Sequence, residues 1–115
     1  MPITALYEGS ASISTTEWSL TTGTSGPDAD TTDGVFQIFL DLSALAAGDE
    51  YQLKLYEKVQ SAGTQRSFHT EYFVGAQSDP HWVSGALVLM HGWDVTLDKI
   101  AGTDRTIAWS IRQIS

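Results

Sequence analysis

The chain has 115 residues, 42% of them hydrophobic, and a formal net charge of −8; this suits one domain with one core and excludes an internal domain boundary or wholesale disorder. It contains no cysteine, so disulfide staples, thiolate metal sites and a cysteine nucleophile are excluded together. Residues 1–50 carry eight acids and no base, while the six acids that follow match the six bases; such a field repels phosphate backbones, so the expectation is no nucleic acid and a basic or neutral protein partner.

The start, Met1-Pro2-Ile3-Thr4, lacks a basic segment followed by an apolar run, and no stretch approaches the roughly 18 apolar residues of a membrane span. A soluble, cytosolically made protein with no membrane partner is expected. Ile3 to Tyr7 and Ala11 to Leu20 read as strands, either of them suited to a sheet edge, although Ser and Thr dominate the second. Residues 21–34 form a long polar loop with too little apolar surface to pack by itself.

Period-two alternation then dominates. From Val35 to Leu42 the set Phe36, Ile38, Leu40 and Leu42 shares one face. From Glu50 to Val59 the set Tyr51, Leu53 and Leu55 faces in, and the two segments are expected to pair antiparallel. Between them, Ser43 to Asp49 has a capping serine, helix-forming Ala and Leu, and a closing glycine, which predicts one short helical turn. Ser61 to Thr64 is a hairpin loop into Arg66 to Val74, where Phe68, Thr70, Tyr72 and Val74 alternate with Ser67, His69, Glu71 and Phe73. Pro80 stops regular pairing, and the nearly all-apolar run Trp82 to Met90 suits a central strand covered on both faces. Trp93, Val95 and Leu97 alternate with Asp94, Thr96 and Asp98. After the turn Ala101 to Asp104, a final strand from Thr106 to Ile114 hides Ile107, Trp109 and Ile111.

About eight strands separated by turns predict an all-β domain over residues 1–115, a compact antiparallel β-sandwich or small β-barrel with one short helical turn. The acids Asp28, Asp30 and Asp33 resemble a calcium loop, but counting from Asp28 the sixth position is Asp33 where glycine is required, and the twelfth is Phe39 where a bidentate glutamate is required. His69, His81 and His91 show no zinc-ligand spacing. Neither a Gly-x-Ser-x-Gly elbow nor a phosphate-binding glycine loop is present. No catalytic residue, metal or cofactor is therefore expected. Trp and Tyr could supply a sugar-stacking platform, though small β domains spend most such rings on the core. Phe39, Tyr56 and Phe73 fall on the faces opposite the expected core, which makes these three the candidate partner interface.

The run Gly34-Val-Phe-Gln-Ile-Phe-Leu-Asp-Leu-Ser-Ala-Leu-Ala-Ala-Gly-Asp-Glu-Tyr-Gln-Leu-Lys-Leu-Tyr-Glu-Lys-Val59, together with Ser61 to Arg66, Leu89-Met90-His91-Gly92-Trp93 and Ala101 to Thr106, resembles small virion structural proteins encoded near the head genes of tailed bacteriophages. Among these, head decoration or cement proteins are the nearest class. The resemblance covers nearly the whole chain from about residue 3 and carries no catalytic residue. It implies a non-enzymatic protein, made in the host cytoplasm and placed on the outer head surface of the virion. There it would bind the major capsid protein, and itself as a homo-oligomer on the particle, and stabilise the shell. A neck or tail structural subunit, a carbohydrate-binding β-sandwich module and a cell-wall hydrolase are the alternatives.

Overall fold

The computed structural model describes residues 3–114, so the Met1-Pro2 start lies outside the described residues. In chain order the strands are β1 (Ile3–Ile13), β2 (Trp18–Ser19), β3 (Thr24–Ser25), β4 (Gly34–Asp41), β5 (Glu50–Glu57), β6 (Arg66–Val74), β7 (His81–Val83), β8 (Leu87–Leu89), β9 (Asp94–Ala101) and β10 (Arg105–Ile114). They form two antiparallel sheets. The first has the order β1-β10-β4-β7, with β8 also on β4, and the second β3-β2-β9-β5-β6. With β7 and β8 taken as one interrupted strand, this is four strands over five, or four over four once the two-residue β3, which pairs only with β2, is set aside. The order is that of a double-sheet jelly roll, so the protein is a β-sandwich and not a barrel.

The alternation placed the core faces of β4, β5, β9 and β10 correctly. Phe36, Ile38, Leu40 and Leu42 are buried, as are Tyr51, Leu53 and Leu55, Val95 and Leu97, and Ile107, Trp109 and Ile111. These side chains meet between the sheets, where each fully buried Leu, Ile or Phe contributes about 1.5–3 kcal/mol of apolar transfer. Trp93 is the largest fully buried side chain. Its ring lies 4.7 Å from Phe36, and its Nε1–H donates to the Thr32 carbonyl at 2.7 Å.

In place of the expected strands at 3–7 and 11–20, one strand, β1, runs through to Ile13 and β2 holds only Trp18 and Ser19; beyond residue 34, pairing and boundaries differ from the expectation in three places. The expected antiparallel pair of β4 and β5 does not form, because residues 42–49 carry the chain from one sheet to the other; β4 pairs with β10, β7 and β8, and β5 with β6 and β9. No helical turn occurs there. Two tight turns replace it, closed by Leu45 N–H on the Leu42 carbonyl and Asp49 N–H on the Ala46 carbonyl. A crossover this short has no room to continue a helix, and the Asp49 carboxylate instead accepts from the Ala46 and Thr103 N–H groups and from Arg105 Nε. The Thr103 and Ala46 amides and the Arg105 guanidinium hold that carboxyl down at about 2.

Third, the run Trp82 to Met90 is not a central strand. It is broken by Ser84, whose Oγ accepts from Ile38 N–H while its own N–H bonds the Ile38 carbonyl, and it lies at the edge of the first sheet. A hydroxyl that substitutes for a ladder acceptor lets the chain leave the sheet and rejoin it.

The polar loop 21–34 is held down by polar contacts. On β9, Asp94 accepts from Ser19 Oγ, Thr21 Oγ1 and Asp28 N–H, and Asp30 exchanges backbone bonds with Trp93. Asp94, which alternation alone turns toward solvent, is therefore buried, and Thr96 on the same face is buried with its hydroxyl donating to the Glu17 carboxylate. Burial pushes the Asp94 carboxyl upward, against those three hydrogen bonds.

Candidate functional site

The three aromatic residues singled out from the sequence do not share one surface. Phe39 lies on the outer face of the first sheet, with the Arg112 guanidinium 3.8 Å above its ring. Tyr56 lies on the outer face of the second sheet and donates its hydroxyl to the Glu17 carboxylate. Burial and that carboxylate push the phenol up. Phe73 is not outward at all: it is 4% exposed and meets Trp82 edge-on at 5.4 Å across the two sheets.

The correction at Phe73 has a simple cause. Directly opposed residues of paired strands point to the same side, and Phe73 lies opposite buried Tyr51. The inward set of β6 is thus the one containing Phe73, and Tyr72 and Val74 point away from the core. A register shift between Leu55 and Tyr56 breaks the alternation of β6 near Phe68.

This arrangement opens an apolar edge that alternation alone does not show. β6 ends the second sheet, β7 and β8 end the first, and the Phe73–Trp82 contact places these edges over one another. Between them run two adjoining concavities of about 270 and 380 Å3, both lined by Phe68 and Leu87. Phe68 is 51% exposed and Val88 79%, and Val59, Val83 and Met90 are exposed alongside. Large apolar side chains scattered singly need no explanation, but a contiguous group on one rim marks a binding surface. The outer backbone edges of β6 and β8 are unpaired among the described residues, and natural sheets usually protect such edges with charge, proline or a covering segment.

The remaining sequence candidates are dispersed. His69 stands 3.2 Å from Glu71 on β6, and His81 3.8 Å from Asp41, in the other sheet. Asp28 accepts from Thr22 Oγ1, and Asp30 accepts from the Tyr7 hydroxyl and Thr32 N–H.

No protein-family model matches the chain, and no curated protein matches it. Among solved structures it is similar to one described as "Xylan-Binding Domain from CBM 22, formally x6b domain", at 17% identity, with a TM-score of 0.41. The match covers 85% of this chain and 64% of that one, so this chain spans less than two thirds of its length.

Proposed function

We propose that the protein is a non-enzymatic structural component of a tailed-phage virion, a head decoration or cement protein that binds the major capsid protein through the edge formed by β6, β7 and β8. One observation carries the choice of surface: Phe68, Leu87 and Val88 form an apolar rim between two unpaired strand edges. Capsid binding itself is supported by the sequence resemblance of Gly34 to Val59 and of the segments around Trp93 and Thr103. A desolvated apolar centre within a polar rim supplies most of the free energy of an ordinary protein interface. Glu57, Lys58, His69 and Glu71 supply that rim here.

The test is incorporation. Phe68→Asp combined with Val88→Asp puts two charges at the centre of the contact while changing side chains that are largely exposed. The variant should fold with the stability of the parent to within about 1 kcal/mol and should lose at least about tenfold in occupancy on particles that lack the protein. Unchanged occupancy, with folding verified, would remove this edge from the interface. A neck or tail subunit is the rival assignment, separated from the first by position on the particle.

A further inference from the structure

Along the β6 edge the two sheets are tied together at both ends and open between. At one end Phe73 meets Trp82. At the other, the Glu57 carboxylate accepts from the Met90 and His91 N–H groups at 2.7 and 3.1 Å, and Lys58 N–H donates to the His91 carbonyl at 2.9 Å. Between these ties, residues 67–72 of β6 have no strand on their outer side among the described residues, an opening about 20 Å long at roughly 3.3 Å per strand residue. The floor of this slot is apolar, formed by Leu55, Trp82 and Leu87. Gly85, at its margin, puts no side chain across it, and an added Cβ there would meet nothing within 4 Å.

One wall of the slot carries charge. His69 lies opposite Leu55 and Glu71 opposite Leu53, both of them buried leucines. Opposed residues point to the same side, so His69 and Glu71 face the gap between the sheets. Their side chains are nonetheless 50% and 40% exposed, so a ligand entering the slot from solvent reaches them. His69 Nε2 stands 3.2 Å from Glu71 Oε1, and Oε2 has no partner among the described residues.

An inward-facing charge on an edge strand bars a wholly apolar strand from pairing with it. It also selects, because a segment that brings the opposite charge escapes the penalty that an apolar one meets. The charge admitted here is positive. Glu57 is occupied by the two amides and the Lys58 stem lies along Gly92, which leaves Glu71 as the carboxylate for a ligand, on a chain of net charge −8. We propose that the slot takes one extended polypeptide segment, paired along β6, whose Lys or Arg opposite Glu71 is one residue removed from a large apolar side chain that packs on Leu55, Trp82 and Leu87. The spacing follows from the strand period of two: residues opposite Glu71 and His69 point to the same face, so the base and the apolar group enter the slot together. Resting on the capsid contact proposed above, this makes the major capsid protein the donor of the segment.

The chain has no cysteine, so a single introduced cysteine can carry a photoreactive benzophenone at a chosen place. Gly85→Cys puts the label at the slot, and Val88→Cys puts it on the rim, at a side chain that is 79% exposed. Each labelled full chain is loaded on particles that lack the protein and irradiated, and the adduct is sequenced by mass spectrometry. The Gly85 label should mark one segment of the major capsid protein in which Lys or Arg stands two residues from a large apolar residue. Glu71→Lys, with folding verified, should lower occupancy about tenfold, and exchanging the marked base for Glu in the capsid protein should restore it. Adducts from Val88 with none from Gly85, a marked segment without a base, or full occupancy of Glu71→Lys would overturn the slot and leave the edge assignment standing. Absence of capsid adducts from both positions would overturn both.

Discussion

Trp93→Ala should destabilise the domain by about 3–5 kcal/mol, the range for deleting a buried aromatic ring. Trp93 is fully buried against Phe36, with Tyr7 edge-on at 6.3 Å. Its loss would take a large share of a total stability that in domains of this size is about 5–15 kcal/mol. The melting temperature should fall by about 10–20 °C. The effect should also be local, because the Trp93 indole holds the Thr32 carbonyl and its backbone pairs with Asp30. Limited proteolysis in residues 21–34 should therefore accelerate in Trp93→Ala before global unfolding does. Trp93→Phe keeps most of the packing and loses one hydrogen bond, so an intermediate loss is expected. A loss below about 1 kcal/mol for the alanine variant would contradict the placement of this ring at the centre of the core.

The second large effect is expected at Gly102, in the turn between β9 and β10. Its φ is +93°, and an added Cβ would lie 2.3 Å from Asp49 Oδ1, 2.6 Å from Asp49 Cα and 2.8 Å from the Gly48 carbonyl oxygen. Two of those atoms belong to backbone and cannot rotate away. Gly102→Ala therefore combines backbone strain of about 1–3 kcal/mol with overpacking of about 1–3 kcal/mol. Gly23→Ala is the control: φ is +69° there and no atom lies within 4 Å of the added carbon, so only the conformational cost of about 1–2 kcal/mol applies. Chemical denaturation of the two variants should separate them clearly. Equal losses would mean that the turn moves freely off Asp49. Displacing it should also release the Asp49 carboxyl from Thr103 N–H and Arg105 Nε, so its depressed pKa should rise toward the usual carboxylate range.

What the sequence revealed and what it concealed divide along physical lines. A strand with one apolar face declares that face, as Phe36/Ile38/Leu40 and Ile107/Trp109/Ile111 do, because the side-chain period of two needs no knowledge of partners. Partners are another matter. Nothing in β4 and β5 says that the eight residues between them cross to the opposite sheet. β6 carries apolar residues on both faces, so its orientation is set by Tyr51 lying opposite Phe73 and cannot be read from β6 alone. The run 82–90 looks continuous until Ser84 is seen to take over the Ile38 amide.

The same reasoning applies to the apolar edge. Phe68 and Val88 read as buried strand residues, and only the edge positions of β6 and β8 expose them. The close approach of Gly9 to Trp109 is hidden in the same way, because it joins the two ends of the chain. The polar residues of β9 are concealed for a related reason: Asp94 and Thr96 look solvent-facing in alternation, but the loop 21–34 bonds Asp94 and Glu17 bonds Thr96.

Position on the particle tests the central claim most directly. Purified virions, labelled through an antibody or a gold-binding tag on this protein and imaged by electron microscopy, should show label distributed over the icosahedral shell. Particles lacking the protein should then lose their genome at lower temperature, because a ligand that binds only the assembled shell stabilises it by mass action. Label confined to one vertex, or virions that carry none, would contradict the assignment as a head decoration protein.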